Sequence, residues 1–319
     1  MFERFRRGSS TSSRFSCYGK LPFDREFLRY NLDSDEGRWI VSWVDGGHEA
    51  IAVKDESARR DSPLELRAIL GRGKSVTAAM IRPSRDGGGR YYPVCVFTVL
   101  DAKPLRDQWH LAPLSVAPLW ETMDREILSA KTPDRSSFAA LLDQTTMHTD
   151  DPASLAGRFD EETRAPLKSP WSVLVGADGD GARQRATTLV SLGRAQAGAR
   201  RASDGVALRV PIGPIPDSLR PASIAAAWVR LFTTVSGFRG PWPAVIEAHD
   251  REARRLTGIF IFGREPVEDD FAKLLAGVGD PAIDDLGEPW ESEASGEGRD
   301  VVERLVGSGA GSLADLWGG

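Results

Sequence analysis

The chain has few of the residues that build metal sites and disulfide frameworks. Its 319 residues include 2 cysteines, Cys17 and Cys95, and 4 histidines that show no metal-ligand spacing. Two thiols cannot form a disulfide framework or a four-thiolate metal site. We therefore expect no metal and no cofactor, and we place the chain in a reducing cytoplasm.

The chain also lacks an excess of positive charge and long apolar runs. Its 41 Lys and Arg are outnumbered by 46 Asp and Glu, which gives a net charge of −5. Because nucleic-acid binding needs a concentrated positive surface, nucleic acid is not an expected partner. No stretch approaches the roughly 20 apolar residues of a membrane helix, and no apolar run follows the basic start as it does in a secretory signal. We expect no integral membrane contact.

What the chain does have is enough apolar sequence, 41% of its residues, to fold into a globular protein of about two domains. The polar, aperiodic stretch at 144–169 predicts a boundary between them. We expect four parts in chain order: a flexible N-terminal tail at 1–14, an α/β region at 15–150, a second α/β region that completes or adjoins the core at 151–290, and an acidic flexible tail with a short apolar C-terminal segment at 291–319. That last segment either docks on the chain's own body or binds a partner.

Two runs rich in β-branched and aromatic residues predict a hairpin with a wide loop. They are SVTAAMIRP (75–83) and RYYPVCVFTVL (90–100), and they flank the turn composition SRDGGG. The second run is apolar on both faces, so this strand should be central in its sheet. Three further strands are predicted at 205–212, 243–248 and 256–263.

Amphipathic spacing predicts helices in both halves of the chain. One ends at the glycine pair of RWIVSWVDGG (38–47), and another covers APLWETMDREILSA (117–130). A third begins with Thr132 as its N-cap and Pro133 at the first helical position. The second half has two helices of this kind, at 223–237 and 266–277.

Three patterns associated with catalysis or ligand binding fail on their spacing or surroundings. GRGKS (71–75) lacks the first glycine of a phosphate-binding loop, because that position is Ala68, so we interpret it as a loop leading into a strand. ADGDGA (177–182) lacks two calcium ligands and predicts a plain turn. Ser84 lies outside any G-x-S-x-G elbow, so an enzyme is not supported. A site around Ser84 and Asp86 that recruits a distant histidine stays open.

Two polar segments are left without a structural explanation. SCYGKLPFDREFLRYNL (16–32) places charged residues between aromatics, and PSRDGGGRYYP (83–93) is the loop of the predicted hairpin. Asp86 and Arg90 have a spacing that lets a salt bridge brace this loop. The alternative is a rigid polar rim that docks a partner.

The same two segments resemble the signatures of a known family. Tyr18-Gly19-Lys20-Leu21-Pro22 followed by Phe27 resembles the Y-G-K-L-P-x-x-G-D-F opening of the TagF/ImpM family, which is associated with bacterial type VI secretion. Pro83-Ser84-x-Asp86-x-x-Gly89-Arg90-x-Tyr92-Pro93 is similar to the second family signature, P-S-x-D-x-x-G-R-x-F-P. The resemblance covers residues 14–145. The family's Gly-Asp is Arg25-Glu26 here, which keeps the acid as Glu26.

The resemblance implies both a fold and a function. The fold is α/β (α+β), with a mixed, largely antiparallel sheet and helices packed on both faces, and region 15–150 is its TagF-like part. Family members act in the cytoplasm as post-translational repressors of type VI secretion, in some systems by engaging a forkhead-associated-domain scaffold protein. The resemblance therefore implies regulation through a protein partner, either such a scaffold or another secretion component, and not catalysis.

The leading hypothesis is a non-enzymatic regulator whose partner-binding surface combines 16–32 with the 83–93 loop. Its candidate partner-binding residues, which either dock the partner or brace the surface, are Tyr18, Lys20, Glu26, Asp86, Arg90 and Tyr92. A hydrolase is the first alternative, and it requires a histidine within about 3 Å of Ser84. A structural subunit of a secretion assembly is the second, and it requires a large exposed apolar patch. The sequence contains no signal for an oligomeric state.

Overall fold

The computed structural model describes most of the chain, namely residues 14–54, 64–147, 149–167, 170–177, 179–199, 205–212, 215–238, 244–253, 255–276, 284–285, 296–306 and 311–317. Of the predicted N-terminal tail, residues 1–13 lie outside these ranges, and Arg14 is exposed. His148 and Asp178 also lie outside them.

The described residues form one sheet of nine strands. In chain order these are β1 (Ser16–Gly19), β2 (Leu28–Tyr30), β3 (Leu64–Arg72), β4 (Ser75–Arg82), β5 (Val94–Asp101), β6 (Ala207–Pro211), β7 (Ala244–Asp250), β8 (Arg255–Phe262) and β9 (Asp284–Asp285). Across the sheet the order is β2-β1-β5-β4-β3-β7-β8-β6-β9. Neighbours are antiparallel except β6 and β9, which are parallel. The mixed, largely antiparallel sheet that the resemblance implies is confirmed.

Helices account for most of the remaining described chain. They are α1 (Asp35–Lys54), α2 (Ala112–Thr122), α3 (Arg135–Gln144), α4 (Pro152–Thr163), α5 (Pro170–Val175), α6 (Gly179–Gly198), α7 (Pro221–Ser236), α8 (Glu268–Ala276) and α9 (Gly296–Val306). A π-helical turn at Met123–Leu128 extends α2. Among the described residues, no helix is both long and apolar enough to cross a membrane.

The sheet has an apolar core on each face, as the expected helices on both faces require. Alternate residues of β4 divide between the two cores: Val76 and Met80 lie in the larger one with α2 and α7, and Ala79 and Ile81 lie in the smaller one with α1 and α8. β5 lies between β1 and β4, and its residues 94–98 are buried on both faces. The prediction of a central strand is confirmed.

The sheet continues from the first predicted region into the second. Residues Leu64–Leu70 of β3 pair with Ala244–Asp250 of β7 along the whole strand, with Ala68 opposite Ile246. β3 itself was not predicted, because its Glu65 and Arg67 interrupt the apolar pattern. GRGKS comprises the last two residues of β3, the turn at Gly73 and Lys74, and the start of β4 at Ser75, so the expected loop into the strand is a tight turn.

Helix α1 does not end at the glycine pair of 38–47. It continues through Gly46 and Gly47 to Lys54. A Cβ built at Gly46 would lie 2.2 Å from the Glu268 side chain, and one at Gly47 would lie 2.4 Å from Phe271. The two glycines therefore let α1 approach α8 closely, and the prediction of a helix end at this pair was wrong.

Two stretches of the chain are more helical than predicted, and one predicted helix begins later. The stretch 144–169 contains α4, whose N-cap Asp151 accepts hydrogen bonds from two backbone N–H groups. The Gly, Ala and Arg-rich stretch after Ala177 is α6, so the turn predicted at ADGDGA is the start of a helix. In α3 the N-cap is Asp134, whose side chain accepts from the Ser137 N–H, and not Thr132.

The C-terminal segment packs on the chain's own body. Within the stretch expected to be an acidic flexible tail, residues 296–306 form α9, and α9 packs against α6. Leu313 and Leu316 are buried, and the Trp317 ring stacks on Phe159 at 5.8 Å. Of the two alternatives for this segment, the structure shows docking on the body.

Candidate functional site

Strand β1 brings the two polar segments together. It pairs with β5, with Tyr18 opposite Cys95 and Gly19 opposite Val94. Gly19 has a φ of +125°, and a Cβ on it would lie 2.1 Å from the carbonyl oxygen of Pro93. A residue with a side chain does not fit there, so glycine is required where the first segment crosses the end of the second.

Asp86 fixes the conformation of the 83–93 loop from the buried side of that loop. Its Oδ2 accepts from Lys20 Nζ and from Arg90 Nε, both at 2.7 Å. Its Oδ1 accepts from the backbone N–H groups of Gly88 at 2.9 Å and Arg90 at 2.8 Å. The side chains of Lys20 and Asp86 are 6% and 0% exposed. The Lys20 ammonium, followed by the Arg90 donors, holds the pKa of the Asp86 carboxyl well below its usual range.

Further bonds tie this loop to the 16–32 segment. The Gly87 N–H donates to the Asp24 carbonyl at 2.9 Å, and the Arg90 guanidinium donates to the Arg25 carbonyl. From α3, Arg135 donates to Asp24 Oδ2 at 2.8 Å and to the Phe27 carbonyl at 3.2 Å. The two segments therefore form one continuous hydrogen-bonded surface.

An aromatic cluster supports the surface from inside. Phe27 lies 4.6 Å from Tyr92 and 5.9 Å from Tyr18 between ring centroids, and Lys20 Nζ lies 5.1 Å from the Phe27 centroid. Both tyrosine hydroxyls donate to Asp45 Oδ1 on α1. Burial, and then the bond to Asp45, raise the pKa of both phenols, so both stay protonated donors.

The six candidate residues divide between the inside and the outside of this surface. Four are buried, namely Tyr18, Lys20, Asp86 and Tyr92. Glu26 and Arg90 are exposed. The Arg85 guanidinium lies 4.0 Å from the Tyr91 ring centroid. The outer face, which we call the motif surface, consists of the exposed residues Pro22, Arg25, Glu26, Arg85, Gly87, Gly88, Gly89 and Arg90.

Sequence reasoning missed three residues that hold this site. Asp45 lies on α1 beside the glycine pair, Arg135 begins α3, and Asp24 lies within the 16–32 segment. The Asp24 carboxyl also accepts from the Glu26 N–H at 3.0 Å, and this bond is the main cause of its lowered pKa. Asp45 and Arg135 act across long sequence separations, and no local pattern marks them.

The geometry that a hydrolase at Ser84 requires is not found in the described part of the chain. There, no hydrogen bond joins the Ser84 side chain to a histidine. The Asp86 carboxylate, which would orient such a histidine, is already occupied by Lys20 and Arg90. Cys17 and Cys95 are buried, and burial raises the pKa of both thiols, as expected of packing residues.

Comparison with known proteins identifies the half of the sheet that contains this site. Residues 16–145 match the family described as the TagF N-terminal domain, type VI secretion system-associated. This part of the chain is a TagF N-terminal domain. The match confirms the resemblance expected over 14–145, and this domain indicates a link to type VI secretion. The TagF domain comprises β1–β5 and α1–α3, so both motif segments lie inside it.

The comparisons add little outside the TagF domain. The crystal structure of PA0076 from Pseudomonas aeruginosa PAO1 at 2.05 Å resolution is 17% identical to the chain, with a TM-score of 0.45. That alignment covers 83% of this chain and 96% of PA0076. No curated protein matches the chain significantly.

Proposed function

We propose that the chain is a non-enzymatic, post-translational repressor of type VI secretion that acts in the cytoplasm. In this proposal it binds a forkhead-associated-domain scaffold protein through the motif surface. The TagF domain supports the link to secretion. The finer steps, repression and the choice of scaffold, rest on the family resemblance.

One observation supports a role in binding: the buried Lys20–Asp86 ion pair holds the motif surface in a fixed conformation. Asp86 fixes Gly88 and Arg90 from below, and Arg90 is in turn tied to Arg25. A loop with three successive glycines is intrinsically mobile, and ordering it upon binding would cost conformational entropy. Because the Lys20–Asp86 pair orders the loop beforehand, a partner meets a prearranged polar surface.

The exposed charges of this surface are the expected contacts. Glu26 is exposed and its side chain accepts no hydrogen bond from the described residues. Arg85 is exposed beside Tyr91. A structural subunit would instead need a broad exposed apolar patch. Among the described residues, Val267 is the one large apolar side chain that is exposed, at 54%. This alternative is therefore less well supported.

The test measures binding of the purified scaffold protein from the same secretion system by calorimetry. Charge reversal by Glu26→Lys or Arg85→Glu should weaken binding at least about 10-fold, or about 1.4 kcal/mol, with an unchanged thermal midpoint. Glu49→Lys, on the exposed side of α1, is the matched control and should bind like wild type. Absence of binding by the wild-type chain would contradict the proposed partner. Equal loss in all three variants would contradict the proposed surface.

Repression itself needs a cellular measurement. Deletion of the gene should increase secretion by the type VI system, and the wild-type chain should restore the lower level. Glu26→Lys should fail to restore it while accumulating to the wild-type level. Full restoration by a variant that has lost scaffold binding would separate repression from this partner and overturn the mechanism.

A further inference from the structure

A polar cleft opens where β3, β4 and β7 extend past the larger core. Its volume is about 580 Å³, within the usual range of small-molecule sites. Its walls come from the ends of β3, β4 and β7 and from the π-helical turn after α2. The lining residues are Glu65, Arg67, Arg82, Asp124, Arg125, Ser129, His249, Asp250 and Arg251.

Strand register explains why charge gathers there. Glu65 lies opposite His249, and Arg67 lies opposite Glu247. These side chains share the sheet face that carries Ile69 and Val245 farther along the same strands, in the larger core. The apolar face thus changes to a charged one where β3 passes beyond α2.

The carboxylates on the floor of the cleft are already bound by the protein. Glu65 accepts from Arg67 Nε at 2.8 Å and from Arg82 Nε, and it is 2% exposed. Arg82 also donates to Asp124 Oδ1. Glu247 Oε2 lies 2.8 Å from His249 Nε2. These acids therefore orient the cations and do not leave a cation site.

Several arginine N–H groups of the cleft, in contrast, have no hydrogen-bond partner among the described residues. Arg67 uses Nε on Glu65, and its two Nη groups have no hydrogen-bond partner among the described residues. Arg251 is exposed at the rim, again without a described partner. Among the described residues, Arg125 makes only a 3.5 Å contact with Glu121, and its side chain is 74% exposed. Guanidinium groups with free N–H donors suit the oxygens of a phosphate group.

The rim also offers acceptors. Asp124 is bonded to Arg82 through Oδ1, and Asp250 Oδ1 accepts from the N–H groups of Glu252 at 3.0 Å and Ala253 at 2.9 Å. The second oxygen of each carboxylate has no partner among the described residues. Behind them, Glu247 Oε1 is buried and has no hydrogen-bond partner within the described ranges. Acceptors beside arginines favour a ligand that carries hydroxyl groups as well as an anion.

We propose that this cleft binds a small phosphate monoester that carries free hydroxyl groups, of the polyol-phosphate class. Arg67 on the floor and Arg251 at the rim hold the phosphate, and Asp124 and Asp250 accept from the hydroxyls. The described lining residues include no Phe, Tyr or Trp on which a base would stack, which disfavours nucleotides. This site is separate from the motif surface and does not depend on the proposed partner.

The test is calorimetry on the full chain with three probes at constant ionic strength: glycerol 3-phosphate, inorganic phosphate and glycerol. Glycerol 3-phosphate should bind saturably, with a Kd below about 1 mM. Inorganic phosphate should bind at least about 3-fold more weakly because it lacks the hydroxyls, and glycerol should not bind. Inorganic phosphate tests the arginine contacts alone, whereas glycerol 3-phosphate tests the arginine and the hydroxyl contacts together.

Two variants locate the site. Arg251→Gln removes a side chain without a described partner, so it should leave the fold unchanged and weaken glycerol 3-phosphate binding about 10-fold. Arg106→Gln, an exposed arginine that follows β5 at the far end of the sheet, should bind like wild type.

Specific outcomes would overturn the inference. No saturable heat with either phosphate compound excludes the site. Equal weakening by both arginine variants shows non-specific charge attraction. Equal affinity for inorganic phosphate and glycerol 3-phosphate removes the hydroxyl contacts.

Discussion

Lys20 Nζ lies 2.7 Å from Asp86 Oδ2, and this buried ion pair joins two motifs that are 66 residues apart in the chain. Both side chains are nearly inaccessible, and the exposed glycines of the loop lie above them. The pair is therefore the internal support of the motif surface, and the contacts available to a partner are the residues around it.

Replacement of Lys20 should destabilise the fold. Lys20→Met leaves the Asp86 carboxylate buried without its ammonium partner, so the thermal midpoint should fall by about 5–10 °C. Lys103→Met, at an exposed lysine after β5, should change it by no more than about 2 °C. Thermal melts followed by circular dichroism provide the measurement, and equal midpoints for the two variants would show that the pair contributes nothing.

Gly19 should tolerate no side chain. Gly19→Ala places a Cβ 2.1 Å from the Pro93 carbonyl at a φ of +125°, so we expect a loss of at least about 3 kcal/mol in unfolding free energy. Gly89→Ala has a φ of +82° with no atom within 4 Å of the added Cβ, so only the backbone strain of about 1–2 kcal/mol applies. Urea titrations of both variants give the comparison. A larger loss at Gly89 would contradict the steric argument.

The two phenols on Asp45 should show coupled energetics. Tyr18→Phe removes one donor and should cost about 0.5–1.5 kcal/mol, whereas Asp45→Ala leaves two buried hydroxyls unpaired and should cost about 1–3 kcal/mol or more. In the double variant the losses should not add, because the partner is already gone. Asp143→Ala, which removes an exposed bond to Tyr30, is the control and should stay within about 0.5 kcal/mol of wild type.

Half-buried His110 should make stability depend on pH. Burial, and then the nearby Arg230 charge, lower its pKa from 6.5 to about 4 in the folded chain. The unfolded chain therefore binds the proton first, so this contribution is complete above pH 6.5 and is lost as the pH falls towards 4. The expected loss is about 2–3 kcal/mol.

The variant His110→Gln isolates this effect. Its unfolding free energy should change much less than that of wild type between pH 6.5 and about 5, a range in which unfolded carboxyl groups are still largely ionised. Asp86 acts in the same direction at lower pH, because its folded pKa is depressed, and it should account for part of the loss that both proteins share below about pH 4. Parallel urea midpoints for the two proteins from pH 7 to 5 would exclude His110 as the cause.

The sequence predicted the elements whose pattern is local. The hairpin of β4 and β5 was recognisable from β-branched runs around a glycine-rich loop, and α7 from its apolar stripe. β3 was missed because Glu65 and Arg67 face the polar cleft, and α6 because its Gly, Ala and Arg composition resembles a loop. In these cases tertiary contacts decide the structure.

The candidate site likewise contains residues that the sequence could identify and residues that only tertiary contacts reveal. Motif resemblance pointed to Lys20, Asp86 and Arg90, which the structure brings into contact. It did not distinguish the buried members from the exposed ones, because burial depends on β1 pairing with β5. Asp45 and Arg135 reach the site from helices outside both motifs, so only the folded chain reveals them.

The pairing of β3 with β7 has a consequence for any fragment of this protein. A chain cut after the TagF domain would end its half-sheet at β3 and would expose the backbone N–H and C=O groups that β7 now covers from Leu64 to Leu70. Uncovered edges of this kind recruit other strands, so such a fragment should self-associate. We expect the second half of the chain to prevent this self-association, because β7 covers the edge of β3.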